Sequence, residues 1–206
     1  ISISATRETV YVKKFINELP HLIKTIMDSK DAETMILLSS LISSGSSESL
    51  TKSFISSWSN DLKQRCEKIL SISSESDQNR NQTEENDDEI IPMLIQIHNT
   101  MVRCRDVIGK KTSDPIFRVF KSTINETTFK IAFLLARHSH NLIQSDPHVF
   151  IDDVGKITGL FRELDLMDAF FSHCKEFLAI RLMDRYSSIE GKNVEEAERA
   201  EKVFLD

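Results

Sequence analysis

Apolar positions recur at helical spacing along almost the whole chain, and no stretch alternates in the way a half-buried strand requires. Val12, Phe15, Ile16 and Leu19 predict a first helix from Arg7 to Leu19. Pro20 is expected to stop it and to open a second one carrying Leu22, Ile23, Ile26 and Met27, because proline loses nothing at a first helical position. Asp31 is the expected N-cap of a third helix, Ala32 to about Ser43, which Gly45 closes. The clearest pattern follows: Leu50, Phe54, Trp58, Leu62 and Cys66 fall four apart, then Ile69 and Leu70 complete one buried stripe, with Ser46 or Ser47 as cap.

From about residue 72 to Glu89 the character changes, and acids heavily outnumber the single Arg80. Only Ile72 could bury anything, so this stretch cannot offset its ordering entropy and is expected to be a flexible insertion. Order is expected to resume at Ile90, where Leu94, Ile97, Met101, Cys104 and Ile108 form a stripe ending at Gly109. Ser113-Asp114-Pro115 reads as a cap followed by proline, opening a helix with Ile116, Phe120, Ile124, Ile131 and Leu135. Asp146-Pro147 repeats that signal ahead of Ile151, Val154, Ile157, Leu160 and Phe161. A long helix from about Asp165 carries Met167, Phe170, Phe171, Cys174, Leu178 and Leu182, and Asn193 caps a charged terminal one. The expected fold class is all-α, about nine helices in a bundle or helical-repeat stack.

Composition narrows function mainly by exclusion. With 5 Gly and 4 Pro in 206 residues, a turn-rich β fold is disfavoured. The net charge is −6, and the nearest basic cluster, Arg103, Arg105, Lys110 and Lys111, reads as cations gathered at one helix C-terminus, which the dipole alone explains. Nucleic acid is therefore not an expected partner. Cys66, Cys104 and Cys174 are odd in number and widely spaced, neither a disulfide framework nor a zinc signature; each falls in an apolar stripe. They imply a reducing compartment, cytoplasm or nucleus, in which the sequons at Asn81 and Asn125 stay silent. No apolar run approaches the roughly 18 residues a membrane span needs, so no membrane partner is expected. The chain opens on Ile1 rather than Met, so a fragment or processed chain is expected.

No phosphate-binding, nucleophile-elbow or zinc-protease motif occurs. His138-Ser139-His140 invites a metal reading, but residues two apart on a helix diverge, and the pair reads as a helix-terminal surface feature. His21, His98, His148 and His173 are isolated, Asp152-Asp153 lacks the alternation of a calcium loop, and Glu195, Glu196, Glu198 and Glu201 read as a solvated face. No catalytic, cofactor-binding or metal residue is assigned.

One segment is more specific. From Met167 to Met183, the residues Asp168, Phe170, Lys175, Leu178, Ala179, Arg181 and Leu182 match in identity and spacing the opening of the cullin homology region; His173 and Cys174 stand where cullins have a tyrosine pair, Ile180 replaces a basic residue, and Met183 replaces a leucine. Leu160-Phe161-Arg162 and Phe150-Ile151-Asp152-Asp153 resemble strings that precede it, and Asp114 through Phe129 is similar to the long helix of the third cullin repeat. The chain thus resembles the cullin family, as a divergent member: a fungal cullin, or the cullin-like subunit of the anaphase-promoting complex.

The resemblance implies residues 1–71 as a helical-repeat segment, 72–89 as the acidic insertion, 90–145 as a further repeat and 146–206 as the start of the cullin homology region. It implies a non-catalytic, rigid scaffold of a multisubunit E3 ubiquitin ligase, with a substrate adaptor and a RING subunit bound through other parts of the parent protein. The alternative is a helical-rod subunit of a vesicle-tethering complex. A lipid-binding solenoid is disfavoured by the acidic balance.

Overall fold

The computed structural model describes residues 3–45, 47–71 and 80–187. Among them are eight helices and no strand: α1 Ile3–Asp28, α2 Ala32–Ser44, α3 Glu48–Ser71, α4 Arg80–Ile108, α5 Lys110–Asn125, α6 Thr128–Ser145, α7 Pro147–Phe161 and α8 Met167–Ser187. The all-α expectation holds. The terminal helix expected after Asn193 and residues 72–79 of the acidic stretch lie outside the described residues. None of the eight helices is long and apolar enough to cross a membrane.

Four boundaries differ from expectation. Pro20 does not divide the first helix; α1 runs through it. Leu19, Ile23 and Ile26 are all buried on one face that continues past the proline. Pro20 itself is exposed, so water can satisfy the carbonyl left without a partner. Burying each of those side chains is worth about 1.5–3 kcal/mol, together more than the roughly 3 kcal/mol an interior proline costs. Nor does Pro115 open a helix. Gly109, at φ 76°, ends α4 in the left-handed region that suits glycine. The chain re-enters a helix at Lys110, and the buried Ser113 hydroxyl donates back to Gly109 O and Lys110 O, each at 3.1 Å, instead of capping. The helix expected to continue from there to Leu135 breaks at Glu126–Thr127.

The fourth difference is α4, which begins at Arg80, ahead of the Ile90 expected from the apolar stripe. Part of the acidic stretch is therefore helical, and two of its acids have partners: Asp88 meets Arg137 at 2.9 Å, and Asp87 stands 4.0 Å from both Lys130 and Arg137.

The expected punctuation otherwise holds. Asp31 caps α2 by accepting from Thr34 N at 3.0 Å, and the bonds from Thr34 keep its carboxyl below the usual range. Asp146 caps α7 through Val149 N at 3.2 Å, with Pro147 at the first helical position. Ser47 Oγ accepts from Leu50 N at the start of α3.

Two compact units share the chain, one formed by Ile1–Lys68 and Ile97–Thr123, the other by Ile69–Gln96 and Ile124–Asp206. In the first, α1 packs on α2, and the α3 stripe Leu50, Phe54, Trp58, Leu62 and Cys66 is wholly buried. Arg65 of α3 ties back to α1, donating to Lys24 O at 3.0 Å and pairing with Asp28 at 2.8 Å. Met101 and Cys104 of α4 join this core with Ile116 and Phe120 of α5, and His98 sits edge-on to Phe117. In the second unit α6 packs against both α7 and α8, around Ile131, Leu135, Phe150, Leu160 and Leu164.

Candidate functional site

The most built-up polar constellation among the described residues lies between α6 and α8, within the second unit. On α6, Ala132, Ala136, Ser139, His140 and Ile143 are buried. The small residues let α8 approach, and the Ser139 hydroxyl is satisfied by its own helix, donating to Leu135 O at 2.8 Å. Contacts then climb both helices in the same direction. Phe133 meets His173 edge-on at 5.2 Å and Phe177 at 5.9 Å; seven residues on, His140 stacks on Phe177 at 4.8 Å and meets Arg181 at 2.8 Å. The two helices therefore run parallel, with α7 as the return between them.

The His140–Arg181 contact fixes a protonation state. A guanidinium can only donate, so Nδ1 of His140 accepts, and the ring is neutral with its proton on Nε2. Both residues are buried, and a cavity of about 90 Å³ lies beside them, edged by Phe171, Cys174 and Leu178. At one end of the unit, Phe161, Phe170 and Phe171 form an aromatic corner with centroids 4.8–5.8 Å apart. Asn125 locks the α7–α8 connection: its amide donates to Glu163 O at 2.7 Å and its carbonyl accepts from Asp165 N at 2.9 Å.

Several sequence expectations change here. His138 and His140 are not a helix-terminal surface pair, because both lie inside α6; His140 is buried, and burial pushes the pKa of His138 down against the pull of Asp88 and Asp153. Arg181, absent from the apolar stripe expected on α8, is nevertheless buried, 8% exposed. Of the stripe expected on α8, Phe170 is buried and Cys174 and Leu178 are half-buried, while Met167, Phe171 and Leu182 stay exposed. Phe177 and Arg181 take that inward place because their partners lie on α6, about forty residues away in sequence, where no local periodicity can announce them. Asn125, whose sequence context shows only a sequon, has its amide nitrogen engaged within the fold.

Among the described residues, no group of three or more His, Cys, Asp or Glu could hold a metal ion. Asp153 pairs with Lys156, and Arg103 with Glu33. Burial pushes the Cys66 and Cys174 thiols up to about 12 and raises Cys104, whose sulfur is hydrogen-bonded to Ser39. Since the thiolate is the reactive form, a maleimide at neutral pH should label Cys66 at least about 100-fold faster in denaturant than in the native chain, with less protection at half-buried Cys174. Equal native and unfolded rates, read by mass spectrometry, would contradict this burial.

What the site offers is orientation: aromatic stacking and one buried cation hold two parallel helices in a fixed register. That describes a helical scaffold element. A sequence model of the Cullin alpha solenoid domain matches residues 2–200. The chain belongs to the cullin family. No curated protein and no solved structure matches it.

Proposed function

We propose that this chain is a rigid scaffold segment of a multisubunit cullin-type E3 ubiquitin ligase, linking the end that holds a substrate adaptor to the end that holds a RING subunit. The family match over residues 2–200 carries this reading. The α6–α8 register supports it, because a scaffold works by fixing distance and direction, and close-packed interiors resist deformation. Adaptor and RING subunit are assigned to other parts of the parent protein, and the ligase chemistry to its partners. Residues 146–206 are read as the start of the cullin homology region, on the match of Asp168, Phe170, Lys175, Leu178, Ala179, Arg181 and Leu182 to that motif. The three unpaired cysteines favour the cytoplasm or nucleus. The vesicle-tether alternative has no comparable support.

Affinity purification of the full-length parent protein from its own cells tests this reading. A RING subunit and ubiquitin-chain-forming activity with an added E2 are expected in the eluate. A preparation with adaptor-like partners but neither of these would overturn the ligase assignment.

A further inference from the structure

The cations at the α4–α5 junction are not where the sequence pattern put them. Lys110 and Lys111 do not end a helix; they form the first turn of α5, where the macrodipole disfavours positive charge. Their position thus works against helix stability, and the rest of the face shows what it accompanies. The inward side of α5 is apolar or internally satisfied, with Ser113, Ile116, Phe120, Thr123 and Ile124 buried. Its outward side carries Lys110, Lys111 and Arg118, all exposed, and half-exposed Lys121, against the single acid Asp114. Arg105 extends this side from α4, its guanidinium 5.0 Å over the Phe117 ring. Glu48 is the acid felt by Lys111, but Lys52 already holds it at 2.7 Å. A chain of net charge −6 therefore concentrates positive charge along one helix face.

We propose that the outward face of α5 docks a short acidic segment of a partner protein. Lys110 to Arg118 spans about 12 Å of helix, which an extended peptide covers in about four residues. A carboxylate near one end of such a segment meets Lys110 and Lys111, and one near the other end meets Arg118, two helical turns on. Nucleic acid fits less well: the one aromatic ring at the edge, Phe117, is covered by Arg105, leaving no stacking platform, and the acidic remainder of the chain repels a long polyanion.

The test uses the 206-residue chain and a fluorescein-labelled hexaglutamate peptide, followed by anisotropy at about 50 mM and about 200 mM salt. Binding should weaken several-fold at the higher salt. The triple variant Lys110→Glu, Lys111→Glu, Arg118→Glu should bind at least about tenfold more weakly, with the corresponding Gln variant in between. A control of equal charge change on α1, Lys13→Glu, Lys14→Glu, Lys24→Glu, should keep affinity within about twofold. Circular dichroism confirms that each variant keeps its helices. Equal losses in the two Glu variants would reduce the effect to net charge and overturn the proposal. So would unchanged affinity in the α5 variants, or a single-stranded oligonucleotide of equal charge binding more tightly than the peptide.

Discussion

Trp58→Ala should cost about 3–5 kcal/mol of stability, while Trp58→Phe should cost less than about 1 kcal/mol. Trp58 is among the largest side chains wholly inside the first unit, in the α3 stripe, with its ring 5.4 Å from that of Phe54. Truncation to alanine removes an aromatic payload and leaves a cavity that close-packed neighbours cannot refill. Phenylalanine keeps most of the ring. It also removes a liability: Nε1 of Trp58 is buried without a hydrogen-bond partner among the described residues. A buried unsatisfied N–H costs about 1–3 kcal/mol, comparable to the packing lost with the second ring, so the two changes largely cancel. Urea unfolding followed by far-UV circular dichroism separates the variants without relying on Trp58, the chain's single tryptophan. If the phenylalanine variant proves as unstable as the alanine variant, the orphaned indole N–H is not a cost and the local packing is misread.

The same stripe shows why much of this fold is readable from sequence. Leu50, Phe54, Trp58, Leu62 and Cys66 repeat at four-residue steps because one helix face meets one core, and all five are buried. Glycine and aspartate punctuation is equally local: Gly109 supplies a left-handed turn, and Asp31 and Asp146 satisfy N–H groups three residues on. The readings of Pro20 and Pro115 are equally local and do not hold, whereas Pro147 stands at the first helical position as expected. A proline's cost is decided by whether water reaches the freed carbonyl and by how much apolar surface the through-going helix buries, and neither is written near Pro20 or Pro115.

The candidate site was the least legible part. The motif around Asp168 and Leu182 points to the family, but helical periodicity places Met167, Phe171 and Leu182 on the buried stripe of α8 and leaves Arg181 off it. Hydrophobic ranking favours leucine over arginine for any inward position, yet Arg181 is buried because His140 accepts its N–H and Phe177 packs beside it. Asn125 likewise engages Glu163 and Asp165, partners that tertiary folding alone brings within reach. Polar groups with distant partners are invisible to periodicity, whereas apolar stripes are not.

A double-mutant cycle on His140 and Arg181 should show strong coupling. His140→Ala removes the acceptor for a buried guanidinium and one face of the Phe177 stack, and should cost about 3 kcal/mol. Arg181→Ala loses the packed aliphatic stem and strands Nδ1 of His140 in a poorly solvated place, for about 2–3 kcal/mol. The double variant removes both polar groups together, so neither is left unsatisfied by the other, and its cost should fall about 1–2 kcal/mol short of the sum. Arg181→Lys should recover less than half the loss, because a compact ammonium lacks the planar fork that reaches Nδ1 from beside the ring. Chemical denaturation of the four proteins measures the cycle, and purely additive costs would mean that the 2.8 Å contact carries no energy. The consequence reaches beyond stability: the contact that sets the register of α8 on α6 also sets the direction α8 takes along it.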